Sequence, residues 1–551
     1  MNVEAVSLAF AAVFTPYNML VVCGGTILGI FIGAMPGMSS VMGLSIMLPF
    51  TFQLHGYASI MMLLGIFCGS IYGGSISATL LNTPGTAASA ATCLDAYPMA
   101  VIMRQPGRAL SISTFSSLCG GLFSCVVLVF SATALAKVAL NFTSPEYFAL
   151  AFFGISIITG VSGKSVIKGL MGGILGLLFS TVGVDNFTGT YRFTFGSSFL
   201  KGGLTMIPIL IGVFALAQAI KTVEEKYNEV PHTDKVVIER IFPTKADLKR
   251  IWPTILRSSI LGTFIGAVPG TGGDIASWVG YNEAKRWSKH KEEFGHGSPE
   301  GIAGSEAANN AIAGGAFVPL LALGIPGDAG TAVMLGALTM MGITSGPLLF
   351  VDSPEQAYTI FIGLFVANIL MGVFGFLMIR VFGKVINVPN KYLVPVIVTF
   401  CITGTFALNH YLEEVFVMLI MGVIGYFLIK LDFAMPPIIL GLVLGALAEK
   451  NARRGLDLLS GDDTIWNHPI AIVFVILGLI SLFSPLLLAP SSRSARRRRS
   501  ASPLPDRHLS SIRHFSTTEL KTSTPSGTRN SLLPEGVFIL FTFFTARNWH
   551  S

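Results

Sequence analysis

Charged residues are scarce in this chain, and their scarcity excludes several classes of protein. Only 12% of the 551 residues are Asp, Glu, Lys or Arg, about half of the roughly 25% found in soluble domains. This deficit excludes a disordered regulator and an ordinary soluble enzyme. The six cysteines lie in apolar stretches without metal-type spacing and are interpreted as small hydrophobic residues within helices. With 52% hydrophobic residues and a mean hydropathy of +0.69, the composition predicts a polytopic membrane protein.

The charge distribution predicts where the membrane segments lie. No Asp, Glu, Lys or Arg occurs from residue 5 to residue 94. Since a helix needs about 20 apolar residues to cross ~30 Å of hydrocarbon, this run holds several passages. Further apolar stretches recur up to residue 489, and some are too short to cross alone. The sequence therefore predicts an all-α polytopic membrane protein with about 10 to 13 transmembrane or re-entrant segments.

Polar interruptions divide the chain into four parts. Residues 221–257 contain eight Lys/Arg and six Asp/Glu, and we interpret them as a cytoplasmic connector. It separates a first membrane repeat, 1–220, from a second repeat with C-terminal spans, 258–490. Residues 491–551 contain ten Lys/Arg and three Asp/Glu, so this tail accounts for the net charge of the chain. The tail is rich in Ser, Pro and Thr, which predicts disorder, and one hypothesis for its origin is a frameshift or a truncated final span.

The two halves resemble each other. Residues 27–37 and 260–270 are identical at nine of eleven positions, and Leu81–Gly85 recurs in modified form as Leu323–Gly327. In the first half, Arg104 and Arg108 follow the second motif, whereas in the second half the eight Lys/Arg of 221–257 precede the first motif. Equivalent positions are therefore expected on opposite faces of the membrane, which predicts inverted repeats. Basic residues also flank both sides of 258–281, which predicts a re-entrant hairpin with arms of about 11 residues, ~17 Å each. A kinked full-length helix is the alternative for this segment and for its equivalent in the first half.

Pro-Gly breaks inside apolar segments are the candidate substrate site. Interrupting a helix within the bilayer frees backbone N–H and C=O groups that hydrocarbon cannot satisfy. The positive N-terminal ends of half-helices can bind carboxylates, and freed carbonyls can bind a cation. The predicted substrate-binding residues are Pro36, Gly37, Ser39, Asn82, Thr83, Pro84, Gly85, Thr86, Pro269, Gly270, Thr271, Gly272, Pro326, Gly327 and Thr331.

Glu306, Asn309 and Asn310 form a second constellation. Their i, i+3, i+4 spacing places them on one side of a helix, where a charged loop meets an apolar span. Carboxylate and amide oxygens suit a small cation such as Na⁺, and a carboxyl group can instead carry a proton. We predict that these three residues, with Asp274 and Asp328, bind the coupling ion, Na⁺ or H⁺, without a further cofactor. An interfacial cap without a ligand is the alternative.

Motifs in a fixed order cover about residues 1–490. They are Gly33–Gly37, Tyr72–Ser75, Leu81–Thr86, Ala90–Ala100, Phe294–Gly297, Glu306–Asn310, Leu323–Gly327, Pro437–Gly445 and Glu449. At these residues the chain resembles the large membrane subunit of the tripartite tricarboxylate transporters, the TctA family. The resemblance implies a multi-pass carrier of the bacterial inner membrane that works with a small four-span membrane subunit and a periplasmic solute-binding protein. It also implies uptake of citrate, other carboxylates or related organic anions with Na⁺ or H⁺.

Other functions are less well supported by the sequence. No phosphate-binding Gly-x-x-x-x-Gly-Lys-Ser/Thr motif occurs, in agreement with an ion gradient as the driving force. A channel or a passive membrane scaffold is the alternative to a carrier. An intramembrane protease would need a partner for Ser162, and the only histidine in a suitable position, His410, lies beside two glutamates. We therefore predict that the chain is not an enzyme and does not bind nucleic acid.

Overall fold

The computed structural model describes residues 3–35, 37–157, 165–185, 187–224, 240–385, 390–460 and 463–487. Several sequence predictions fall outside these ranges. They concern Pro36, Ser162, connector residues 225–239 and the tail 491–551.

Helices account for most of the described residues. Two strands of two residues each, Gly183–Val184 (β1) and Tyr191–Arg192 (β2), pair in antiparallel fashion. The described helices are α1 (Val3–Val13), α2 (Pro16–Ala34), α3 (Ser40–Thr51), α4 (Ala58–Leu81), α5 (Ala90–Tyr97), α6 (Pro106–Ala139), α7 (Ser144–Ser156), α8 (Val166–Ser180), α9 (Met206–Glu224), α10 (Lys245–Ala267), α11 (Gly272–Trp287), α12 (Pro299–Leu323), α13 (Ala329–Met340), α14 (Leu349–Asp352), α15 (Pro354–Val385), α16 (Asn390–Asn409), α17 (Leu412–Lys430), α18 (Pro436–Leu459) and α19 (Pro469–Leu487).

Their length and hydropathy identify the helices that could cross a membrane. Six described helices meet the length and hydropathy required, and they are α2, α4, α6, α9, α15 and α17. Seven shorter apolar segments of 10–17 residues accompany them. The prediction of an all-α, multi-pass membrane protein is confirmed at this level. The total number of crossing and re-entrant segments stays a prediction.

The centre of the molecule is built from α4 and α12. Every residue of α12 is buried, as are almost all residues of α4. Small residues make this density possible, since glycine lets two helix backbones approach closely. A Cβ added to Gly29 of α2 would lie 2.5 Å from the Ile66 carbonyl oxygen of α4. At the equivalent position of the second half, Gly262 of α10 lies against the Ala308 carbonyl of α12.

The backbone conformation at the breaks is similar in the two halves. Gly37 and Gly270 have φ angles of 82° and 81°, values that favour glycine because other residues are strained there. Asn82 and Gly324 both end long helices in the left-handed conformation, with φ angles of 54° and 72°. The duplicated motifs therefore adopt the same local geometry in both halves.

The chain reverses direction between α10 and α11. Arg250, near the start of α10, pairs with Glu293, just beyond the end of α11, at 2.7 Å between Nη2 and Oε2. The predicted equal arms of about 11 residues were wrong, because α10 has 23 residues and α11 has 16. The first arm is longer than its apolar pattern because Thr244 and Asp247 form a capping box that starts the helix at Lys245.

Candidate functional site

Glu306 lies in the interior of the protein, in the eighth position of α12. The prediction that it lies where a charged loop meets an apolar span was wrong. Proline at the first position and a cap by Ser298 begin the helix at Pro299, so Glu306 is about 10 Å further along the axis. Its side chain is 0% exposed, and no basic side chain among the described residues forms an ion pair with it.

Hydroxyl and amide groups surround the Glu306 carboxylate. Thr92 Oγ1, from α5, donates to Oε1 at 2.5 Å, and Ser117 Oγ, from α6, donates to Oε2 at 2.9 Å. Asn310 Nδ2, one turn further along α12, approaches Oε2 at 3.4 Å and bonds the Glu306 carbonyl at 3.1 Å. Thr92 also bonds Ser305 Oγ at 3.1 Å. Groups from both halves of the chain therefore meet at one buried carboxylate.

Asn309 is separated from the other members of its constellation. Its side chain is 1% exposed and faces the break between α10 and α11, where a Cβ added to Gly273 would lie 2.7 Å from Asn309 Oδ1. Asn309 Nδ2 has no hydrogen-bond partner among the described residues. The three residues with i, i+3, i+4 spacing therefore lie in two neighbouring environments rather than in one.

The breaks predicted from the sequence lie next to one another. In the second half, Gly270 N–H donates to the Gly327 carbonyl at 2.7 Å. In the first half, Gly85 N–H donates to the Gly74 carbonyl at 3.3 Å, and Gly85 also lies against the Gly33 carbonyl. A Cβ added to Gly273 would lie 3.0 Å from Ala88 Cβ, so the second and third breaks are adjacent across the two halves.

Two aspartates flank the breaks of the second half. Asp328 caps α13, since its Oδ1 accepts from Thr331 N at 2.7 Å and from Thr331 Oγ1 at 2.6 Å. Asp274 lies in the first turn of α11 with an exposed side chain. Both carboxylates therefore lie at the starts of helices that follow a break of the second half.

Most hydroxyl groups at the breaks already have partners in their own helix ends. Ser39 Oγ accepts from Met42 N at 3.1 Å and caps α3. Thr271 Oγ1 donates to the Ile265 carbonyl at 2.5 Å, and Thr86 bonds Ser89 at 3.0 Å. Asn82 and Thr83 are exposed. These residues stabilise the ends of the broken helices, and the remaining predicted positions (Pro84, Pro269, Gly272 and Pro326) are parts of the same turns.

The fold brings three further residues to this region that the sequence pattern does not indicate as site residues. Thr92 and Ser117 bond Glu306, and Asp95 holds the loop that precedes α12. Asp95 Oδ1 accepts from the backbone N–H groups of Gly295, Gly297 and Ser298 at 2.8, 2.9 and 2.9 Å. The available signal for Asp95 was its position as the first charge after the long uncharged run. Nothing in the sequence distinguishes Ser117 from the other serines of α6.

The described helices form an apolar bundle around a buried carboxylate that pairs with no basic side chain in the described part of the chain, and broken helices lie beside it. This arrangement is typical of membrane transport proteins. Comparison with known sequences gives the particular family. A family model described as "Tripartite tricarboxylate transporter TctA family" matches residues 19–440. The chain belongs to this family, and it is accordingly a transporter membrane subunit.

Two similar proteins come from Agrobacterium vitis. One, described as "Uncharacterized 52.8 kDa protein in TAR-I ttuC' 3'region", is 36% identical over 495 residues, which is 90% of this chain and 98% of the relative. The other, "Uncharacterized protein in TAR-II ttuC' 3'region", is 37% identical over 236 residues, which is 43% of this chain and 97% of the relative. No solved structure matches the chain.

Proposed function

We propose that this chain is the ion-coupled membrane subunit of a bacterial inner-membrane importer for tricarboxylates or related organic anions. A periplasmic binding protein would deliver the anion, and a small four-span membrane subunit would complete the carrier. The observation that carries the proposal is Glu306, a fully buried carboxylate with hydroxyl and amide neighbours and no counter-charge among the described residues.

Ion coupling follows from the energetics of this carboxylate. An isolated charge is expensive to bury, so such a group binds a proton or a cation instead. Na⁺ would find oxygen ligands in Glu306, Thr92 and Ser117, and H⁺ would need only the carboxyl group. Asp274 and Asp328 offer a second pair of carboxylates at the ends of broken helices. Either ion would link the neutralisation of these groups to movement of the substrate.

Helix directions support an inverted arrangement of the two repeats. Tyr72 of α4 bonds Thr114 of α6 at 2.7 Å, and Ser75 bonds Ser113 at 2.8 Å, so later residues of α4 meet earlier residues of α6. In contrast, Gly120 lies against Ala307 and Ser124 against Gly314, so α6 and α12 run in the same direction. The duplicated helices α4 and α12 therefore run oppositely.

In each half, the second helix of the Pro-Gly hairpin (α3 or α11) ends beside the start of the following long helix (α4 or α12). Ser59 Oγ, at the start of α4, donates to the Thr51 carbonyl at the end of α3 at 2.6 Å. Ser288 Oγ, after the end of α11, donates to Glu300 Oε2 at the start of α12 at 2.5 Å. Since α4 and α12 run oppositely, the two Pro-Gly hairpins would enter from opposite faces and meet in the middle, as alternating access requires.

The test is uptake by proteoliposomes that contain this chain with its membrane partner and binding protein. An imposed Na⁺ or H⁺ gradient should drive accumulation of labelled citrate, tricarballylate, succinate or malate. Glu306→Gln keeps the size of the side chain but removes the ionisable group, so it should abolish the dependence on the gradient. Glu283→Gln, the same substitution on the neighbouring helix α11 outside the cluster, should behave as wild type.

The alternatives give different results in the same experiment. Unchanged gradient dependence in Glu306→Gln would remove Glu306 from the coupling mechanism. A channel would conduct without saturation and without the binding protein. A passive scaffold would give no uptake that depends on this chain.

A further inference from the structure

Arg257 is a cation without a counter-charge in the apolar part of α10. No other Asp, Glu, Lys or Arg occurs from residue 251 to residue 273. Its Nη2 reaches Thr254 Oγ1 at 3.5 Å, the limit for a hydrogen bond, and no carboxylate in the described part of the chain forms an ion pair with it. Arg250, two turns earlier, already pairs with Glu293 and Glu300. A charge within an apolar membrane segment is expensive and usually has a partner, so Arg257 is expected to bind an anion.

Two tryptophans place Arg257 near a membrane surface. Its guanidinium lies over the Trp287 ring of α11, with 5.9 Å between Cζ and the ring centroid. Trp287 and Trp252 are 60% and 53% exposed, and tryptophan is enriched at the level of the lipid headgroups. Three Lys/Arg occur in 245–250 and four in 285–291. This excess of basic residues assigns the open end of the α10–α11 hairpin to the cytoplasmic face.

An exposed apolar stripe on α10 runs past Arg257 towards the break. Its members lie four residues apart and therefore share one side of the helix. Their exposed fractions are about one half: Trp252 53%, Leu256 46%, Ile260 50% and Phe264 50%. An apolar surface of this kind marks contact with a membrane or with another protein. Since adjacent helical residues point about 100° apart, Arg257 lies beside the stripe, and an anion that carries acyl chains fits both features.

We propose that Arg257 binds the phosphate group of an anionic phospholipid in the cytoplasmic leaflet, such as phosphatidylglycerol. Because Nε is buried, the phosphate binds at the terminal nitrogens Nη1 and Nη2, which can donate two parallel hydrogen bonds to its oxygens. The acyl chains lie along the stripe Trp252–Phe264. Basic pockets between membrane helices on the cytoplasmic side recognise anionic headgroups in this way.

The bound lipid would stabilise the second Pro-Gly hairpin. Arg257 belongs to α10 and Trp287 to α11, so a headgroup at Arg257 touches both arms close to their cytoplasmic ends. The ion pair between Arg250 and Glu293 joins the same two arms. Neutralising Arg257 removes the cost of an unpaired charge in an apolar segment, and the stability of the protein should therefore depend on the headgroup charge of the surrounding lipid.

The test measures lipid binding to the full-length chain purified in detergent. Dioleoyl phosphatidylglycerol and dioleoyl phosphatidylcholine have the same acyl chains and differ in headgroup charge. Native mass spectrometry should show tighter binding of phosphatidylglycerol, and this lipid should raise the melting temperature more. Arg257→Gln should weaken binding of phosphatidylglycerol by about tenfold or more, because it removes hydrogen bonds to a charged group. Arg286→Gln, at an exposed arginine of α11, is the matched control and should bind this lipid as wild type does.

Several results would overturn the inference. Equal losses in Arg257→Gln and Arg286→Gln would indicate diffuse attraction to a basic surface, and equal binding of the two lipids would indicate contact with acyl chains alone. Displacement of phosphatidylglycerol by inorganic phosphate or citrate would assign Arg257 to a soluble anion instead.

A second variant decides the matter if Arg257→Gln fails to fold, as judged by size-exclusion chromatography. Arg257→Lys keeps the charge but loses the planar fork of donors, so its affinity for phosphatidylglycerol should lie between those of wild type and phosphatidylcholine-level binding. An unchanged affinity in Arg257→Lys would then overturn the inference. None of these measurements involves uptake or an ion gradient, so their outcome is independent of the proposed function.

Discussion

Gly327 provides a sharp test of how the broken helices pack. A Cβ added at this position would lie 2.5 Å from Ala316 Cα, 2.5 Å from the Gly266 carbonyl oxygen and 2.7 Å from Ala316 Cβ. These neighbours are two backbone atoms and a Cβ, so no flexible side chain can move away. To reach the ~3.5 Å separation that van der Waals contact needs, Gly327 must move about 1 Å away from α10 and α12. We therefore expect Gly327→Ala to destabilise the fold by about 3 kcal/mol, the upper part of the range for overpacking.

The measurement is the apparent melting temperature of the detergent-purified protein, followed by size-exclusion chromatography after heating. The same substitution should impair uptake, because a 1 Å shift breaks the 2.7 Å bond between Gly270 N–H and the Gly327 carbonyl. Gly24→Ala is the matched control, since nothing lies within 4 Å of a Cβ added there and alanine favours the helix by about 0.5–1 kcal/mol. If Gly327→Ala melts at the temperature of Gly24→Ala, the close packing at this break does not exist.

Two further predictions concern the connections around the membrane core. Asp95→Ala leaves the backbone N–H groups of Gly295, Gly297 and Ser298 without their acceptor, and those of Gly297 and Ser298 are buried. It should therefore lower stability by about 2 kcal/mol or more, whereas Asp95→Asn keeps an accepting oxygen and should melt closer to wild type in the same heating assay; equal losses would contradict this role. Hydrogen bonds with Asp463 and then Glu146 raise the pKa of His468, which lies before α19 and outside the helix. The stabilisation is therefore present below the ordinary histidine pKa of about 6.5 and is lost as pH rises through the higher folded value. Melting curves between pH 5.5 and 9 should show this loss in wild type and not in His468→Gln, and parallel profiles would refute it.

The two copies of the repeat carry different side chains where the proposed ion site around Glu306 lies. An offset of 242 residues aligns the second motifs, and it aligns Glu306, Asn309 and Asn310 with Leu64, Phe67 and Cys68 of α4. All three equivalents are buried. The polar cluster of α12 therefore aligns with a mainly apolar turn of α4, and only α12 carries a carboxylate in this turn. The two copies therefore share the backbone geometry of the breaks and differ in the side chains of this turn.

Sequence patterns alone are enough to assign the class of the protein and the positions of the breaks. Low charge and long apolar runs require a multi-pass membrane fold, because only helices or closed barrels satisfy backbone hydrogen bonds in hydrocarbon. The duplicated Pro-Gly motifs predicted breaks at Gly37, Asn82, Gly270 and Gly324, and the backbone angles at these positions agree. Such features are local, since a proline or a left-handed residue ends a helix wherever the helix packs.

Which polar groups meet depends on how the helices pack and cannot be read from local sequence patterns. Thr92 and Ser117 are 189 residues or more from Glu306 along the chain, and nothing in the local pattern of either residue indicates that carboxylate. Helical spacing grouped Asn309 with Asn310, yet adjacent residues on a helix point about 100° apart, so the two face different neighbours. The environment of a side chain depends on which helices pack around it, and that packing is set by small residues far apart in the sequence, such as Gly120 against Ala307.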